Sequence, residues 1–145
     1  MNEAEVVEQL DRLLRTLCRS LPMYLQEARP WTRQEDDPIT EALDCLASDQ
    51  QTFARRVADA IVDHGGRPDP GCFPVAFTGI NDVSTDFLLQ EAIDHQQQNA
   101  ATIKQCVDRL ADVPLLHSLA EEIYGNAQGH LDTLERLQRG ENAAT

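Results

Sequence analysis

Four stretches of this chain read as helices, and three of them carry apolar residues at steps of three and four. One long proline- and glycine-rich segment separates the first two stretches from the last two. Val6, Leu10, Leu13, Leu17, Leu21, Leu25 and Ala28 mark the first stretch, and Ile39, Leu43, Leu46, Phe53, Val57 and Ile61 the second. Leu116, Leu119, Ile123, Leu134 and Leu137 mark the last. Steps of three and four place a set of side chains on one face of a 3.6-residue helix, and that face must be buried. Helices of about 25 residues are roughly 37 Å long, so they bury such a stripe by packing lengthwise against one another. The third stretch, residues 84–112, is polar through its middle (DHQQQNAAT), and its inward face is ambiguous.

The boundaries follow from local chemistry. The first helix is expected over 3–29, with Pro22 removing a backbone donor and kinking or splitting it. Asp37 is a natural N-cap, with Pro38 in the first helical turn. The second helix then runs over 38–64 and stops at Gly65-Gly66. The third begins near Ser84, and the fourth runs from Asp112–Pro114 to Arg139, leaving a frayed tail over 140–145. The links are short, long and short. The long one, 65–83, has to cross the length of the bundle, because loops of that size are uncommon in compact domains without a specific task. In the segment CFPVAF it carries Phe73 and Phe77, which pack onto the helices or contribute to a dimer contact. The fold class expected is an all-α four-helix bundle with one long crossover between helices two and three, a single domain over 1–145.

Composition narrows the function. The chain has 25 acidic against 12 basic residues, a formal net charge of −13. Such a surface repels nucleic-acid phosphates and anionic lipid, so neither is an expected partner. No apolar run is long enough for a membrane span. The opening MNEAEVVEQLDRLL is acidic and amphipathic, which argues against a secretory signal peptide. The four cysteines, Cys18, Cys45, Cys72 and Cys106, lie far apart with no CxxC spacing. They read as free thiols in a reducing cytoplasm. No nucleophile elbow, phosphate-binding loop or dinucleotide fingerprint occurs, and no catalytic residue is assigned. His64 sits at a helix end, where the dipole accounts for it, and His117 reads as surface.

One residue departs from the pattern. The leucine seam of the last helix passes through Ala127 and His130. A lone seam histidine is ordinarily a neutral core residue held by hydrogen bonds. Its expected partners are Asp94 or Gln50, with Tyr24 a further option.

Three segments carry a resemblance. GNAQGHLDTLERL resembles the last helix of bacterioferritins and related ferritin-like proteins, QQTFARRVADAIVDHGG their second helix, and MYLQEARPW the end of their first. In that family a di-iron centre uses one Glu from each of two helices and a Glu-x-x-His pair from each of the other two. By this resemblance the ligand positions fall on Leu17, Gln50, Phe53, Asp94, Ala127 and His130. One ligand is kept, one is shortened to Asp, and four are lost. The resemblance therefore implies a decommissioned site with no metal and no cofactor. The expected role is a non-enzymatic oligomerisation or protein-interaction module, a cytoplasmic homo-oligomer whose expected form is a dimer. Two alternatives stand beside it. One is an iron-binding protein with a reduced site around His130, Asp94 and Gln50; the other is a small-ligand binder using the old metal cavity.

Overall fold

The computed structural model describes residues 1–28, 38–71, 73 and 85–140. They form five helices: α1 (Glu3–Cys18), α2 (Leu21–Ala28), α3 (Pro38–Asp63), α4 (Thr85–Arg109) and α5 (Pro114–Gln138). Among the described residues there is no strand. Asp37, Cys72, Phe77, Ser84, Trp31 and the tail beyond Gly140 lie outside them.

Local chemistry explains each boundary. Asn2 caps α1 by accepting from the Glu5 amide at 2.8 Å, while its own amide donates to the Glu5 carboxylate at 3.1 Å. The first bond satisfies one free donor of the first turn, and the second braces the cap. The expected first helix is split rather than kinked. The Ser20 hydroxyl accepts from the Met23 amide at 3.3 Å and caps α2, and Pro22 then falls in the first turn, where its missing donor costs nothing. α3 ends in a Schellman motif: Gly66 N–H donates to Ile61 O at 2.8 Å and Gly65 N–H to Val62 O at 3.0 Å, with Gly65 at φ 83°. The next residue has a different reason to be glycine. A Cβ on Gly66 would lie 2.7 Å from a Val7 methyl, so only a bare backbone passes so close to α1.

The contacts between helices give the topology. His64 meets Glu3, and Gln50 meets Ser20, so α3 runs antiparallel to α1. Arg12 reaches Gln105, and His95 faces the Arg19 end of the same groove, so α4 is also antiparallel to α1. It follows that α3 and α4 are parallel, and the segment between them must return along the whole bundle. α5 is antiparallel to α4, with Gln96 beside Ala127 and Gln138 beside Gln90. This is a four-helix bundle with one long crossover, its first member broken into α1 and α2. Phe73, in the crossover, packs down onto the bundle, its ring edge-on to Tyr24 with centroids 5.3 Å apart.

Two apolar clusters fill the interior. One joins α1 to the C-terminal half of α3, the C-terminal half of α4 and the start of α5, around Leu10, Leu13, Val57, Ile61, Ile103 and Ile123. The other joins α2 to the opposite ends of those helices, around Leu21, Leu43, Leu46, Leu88, Ile93 and Leu134. Three buried polar side chains, Ser20, Gln50 and Gln96, sit between them.

Candidate functional site at the bundle midpoint

Each bundle helix brings a polar residue to the boundary between the two clusters. Ser20 lies in the break between α1 and α2, where it both caps α2 and donates its hydroxyl to Gln50 Oε1 at 2.6 Å. Gln50 belongs to the apolar stripe of α3, between Leu46 and Phe53, and is 5% exposed. Gln96 belongs to the stripe of α4 and is 2% exposed. Its amide donates to the Ala127 carbonyl on α5 at 3.0 Å. Ser20, Gln50 and Gln96 thus have partners across the helix interfaces, as low-dielectric surroundings require.

His130 closes the belt on the side of α3 and α5. Its side chain is 16% exposed, and its Nε2–H donates to Asp49 Oδ2 at 2.7 Å. The same oxygen accepts from Asn126 Nδ2 at 2.9 Å. Burial acts to raise the Asp49 carboxyl. The hydrogen bonds from Asn126 and His130, with the charge of His130, outweigh it and hold the group below its usual value of 3.8.

The expected partners of His130 are therefore corrected. Asp94 is exposed on the outer face of α4, accepts from Gln90 at 2.9 Å and faces away from the bundle interior. The inward residue two places on is Gln96. Leu89, Ile93, Gln96, Ala100, Ile103 and Val107 form the buried stripe of α4, and Asp94 is about 100° away from Ile93 around the helix. Gln50 is inward as expected but serves Ser20. Asp49, the residue before it, was not singled out in the sequence, because its pairing depends on how α5 is offset against α3. His117 lies at the surface as expected, 29% exposed and 3.2 Å from Glu121. Its Nδ1–H donates to Val107 O at 3.0 Å, tying α5 to the end of α4.

Leu17, Phe53 and Ala127 are buried at 3%, 9% and 5% exposure, all in the first cluster. The Arg56 guanidinium lies 5.5 Å over the Phe53 ring and pairs with Glu122 at 2.9 and 3.0 Å, covering the outer edge of this layer. Between Leu17, Gln50, Gln96 and Ala127 a cavity of about 10 Å³ remains. That is room for one water and for no organic ligand.

The donor set does not fit a dinuclear iron centre. Two hard cations need several carboxylates to bridge and neutralise them. The interior here supplies two amides, a hydroxyl and the edge of one histidine–aspartate pair. Among the described residues no group of three or more His, Cys, Asp or Glu side chains is placed to hold a metal ion.

No family model matches the chain, and no curated protein matches its sequence. Among solved structures it is similar to the bacterioferritin of Rhodobacter capsulatus, described with a metal-free dinuclear site and heme iron. The TM-score is 0.74 at 18% identity, over 96% of this chain and 87% of that one. Helix order, the long crossover and this likeness agree: the chain has the ferritin-like four-helix fold.

Proposed function

We propose that this protein is a ferritin-like bundle whose dinuclear metal centre has given way to a hydrogen-bonded polar layer. In this reading it works as a non-enzymatic module, through self-association or protein contacts. One observation carries the proposal. Positions that the family resemblance assigns to ligands are occupied by buried Leu17, Phe53 and Ala127, which cannot coordinate, while Gln50 is engaged by Ser20. Filling a metal cavity with side chains of this size replaces coordination energy with apolar burial, about 2 kcal/mol for each large side chain. The fold then no longer depends on metal.

The test is metal analysis of protein purified after growth with added iron, together with an Fe(II) oxidation assay and light scattering to weigh the assembly. The proposal expects far less than one iron per chain, no catalysed oxidation and a mass above that of one chain. About two irons per chain with catalysed oxidation would overturn it. A second reading, a weak single-cation site, is favoured by the Asp49–His130 pair, one carboxylate and one imidazole on neighbouring helices. In that case Asp49→Ala would abolish whatever metal the protein retains.

A further inference from the structure

α1 and α4 do not close on each other along their whole length. Between them lies a groove of about 370 Å³, walled by Arg12 and Arg15 from α1, by Arg19 just past its end, and by His95, Gln98 and Asn99 from α4. The three arginines stand one helical turn apart and so form a single row. Among the described residues, none of those lining the groove is a carboxylate. This is unexpected in a chain with 25 acids and 12 bases, where a random stretch of surface carries more carboxylates than cations. The remaining lining residues, Thr16 and Ser20, spend their hydroxyl protons on Arg12 O and Gln50 Oε1 and add no donor to the groove. Among the described residues, acids near the groove but outside its wall are Asp69, 3.6 Å from Arg15, Glu91, 3.7 Å from His95, and Asp11, close to Arg15 and Asp69.

The geometry points to a binding site for a phosphate group, carried by a small molecule or free as inorganic phosphate. A guanidinium has five N–H donors in a rigid fork that matches phosphate oxygens in pairs. The contacts of Arg12 with Gln105 and of Arg15 with Asp69 therefore leave donors on both side chains. Gln98 and Asn99 supply amide donors from the facing helix, and the volume falls within the range of ordinary small-molecule sites. Thr16 and Asn99 also line the small internal cavity, so the groove is the outer approach to the polar belt. An entrance lined by guanidinium groups attracts anions and repels metal cations.

The experiment titrates the whole chain with sodium phosphate, pyrophosphate, AMP and adenosine, at ionic strength held constant with sodium chloride. Calorimetry and thermal melting are the readouts. Phosphate and pyrophosphate are expected to bind and raise the melting temperature, and adenosine is expected to do neither. AMP binding about tenfold or more tighter than phosphate would identify a phosphate ester as the ligand class, and equal binding would identify the free anion. Arg15→Gln with Arg19→Gln should weaken binding at least about tenfold, since each removes a charge-assisted contact. Gln98→Glu leaves every arginine and the Asp69 clip in place but sets a carboxylate opposite them, and should weaken binding comparably. Arg136→Gln, on α5 and paired with Asp132, should change nothing. Absence of phosphate and pyrophosphate binding to the unaltered protein overturns the site. So does binding that survives Gln98→Glu together with the double arginine variant.

Discussion

His130 donates its Nε2 proton to Asp49 Oδ2 across 2.7 Å, and this contact couples α5 to α3 at the midpoint of the bundle. The carboxylate is 45% exposed while the imidazole is 16% exposed, so the pair sits at the rim of the interior, partly screened by water. Asp49 is held ionised below its ordinary range. A depressed carboxyl contributes stability that is complete above the unfolded value of 3.8 and is lost as pH falls through the folded value. Asp49→Asn should destabilise the protein by about 1 kcal/mol near neutral pH, a charged hydrogen bond discounted for exposure. The penalty should shrink below the unfolded carboxyl value. Urea unfolding at both pH values checks this, and an equal penalty at both would refute the assignment.

Ser20 has two tasks, and a double-mutant cycle separates them. Ser20→Ala removes the cap of α2 and leaves the Gln50 oxygen buried without its donor. The expected loss is about 2 kcal/mol. Gln50→Leu removes the orphaned group, so the double variant should be less destabilised than the sum of the two single changes. Additive penalties would mean that the Ser20–Gln50 bond contributes nothing.

Cys106 is fully buried in the first cluster, and burial pushes its thiol up to about 11, with Arg12 and Arg109 pulling only weakly the other way. Nucleophilicity belongs to the thiolate. Cys106 should therefore resist a disulfide-exchange reagent in the folded protein and react only on unfolding. Cys45, exposed on α3, should react promptly. Labelling followed by peptide mass spectrometry checks the order, and early modification of Cys106 would contradict the packing.

Introducing ligands tests the positional correspondence that the bacterioferritin resemblance implies. Leu17→Glu, Gln50→Glu, Phe53→His and Ala127→Glu, combined with Gln96→Glu, should give a bundle that takes up about two irons per chain. The same set with Asp94→Glu in place of Gln96→Glu should not, because Asp94 faces solvent. Each buried carboxylate destabilises the metal-free form, so refolding is best followed with Fe(II) present. Equal iron uptake by both sets would show that the α4 register is misassigned.

Much of the fold was legible in the sequence, because its signals were local. Leu10, Leu13 and Leu17 define a face by spacing alone, and Pro38 and Gly65 punctuate α3 through their own backbone preferences. The expected break at Pro22 rested on the same kind of signal. The polar middle of α4 gave a weaker one. Asp94 drew attention as a carboxylate, yet the series Leu89, Ile93, Gln96, Ala100, Ile103 places Gln96 on the buried side, and that spacing was there to be used. The Asp49–His130 pair is of another kind. It joins two residues 81 positions apart in sequence and arises from the offset between their helices, which no periodicity within either helix encodes.

The polar layer also bears on alignment. A bundle packed with leucine from end to end tolerates one helix sliding past another by a turn, because one leucine replaces the next. Here such a slip would carry Gln50 and Gln96 into the leucine clusters and leave their amides without partners, while Ser20 and the Ala127 carbonyl would meet methyl groups. Polar positions in a helical interface fix its register in this way. The polar layer thereby dictates which rung of each helix stands level with which.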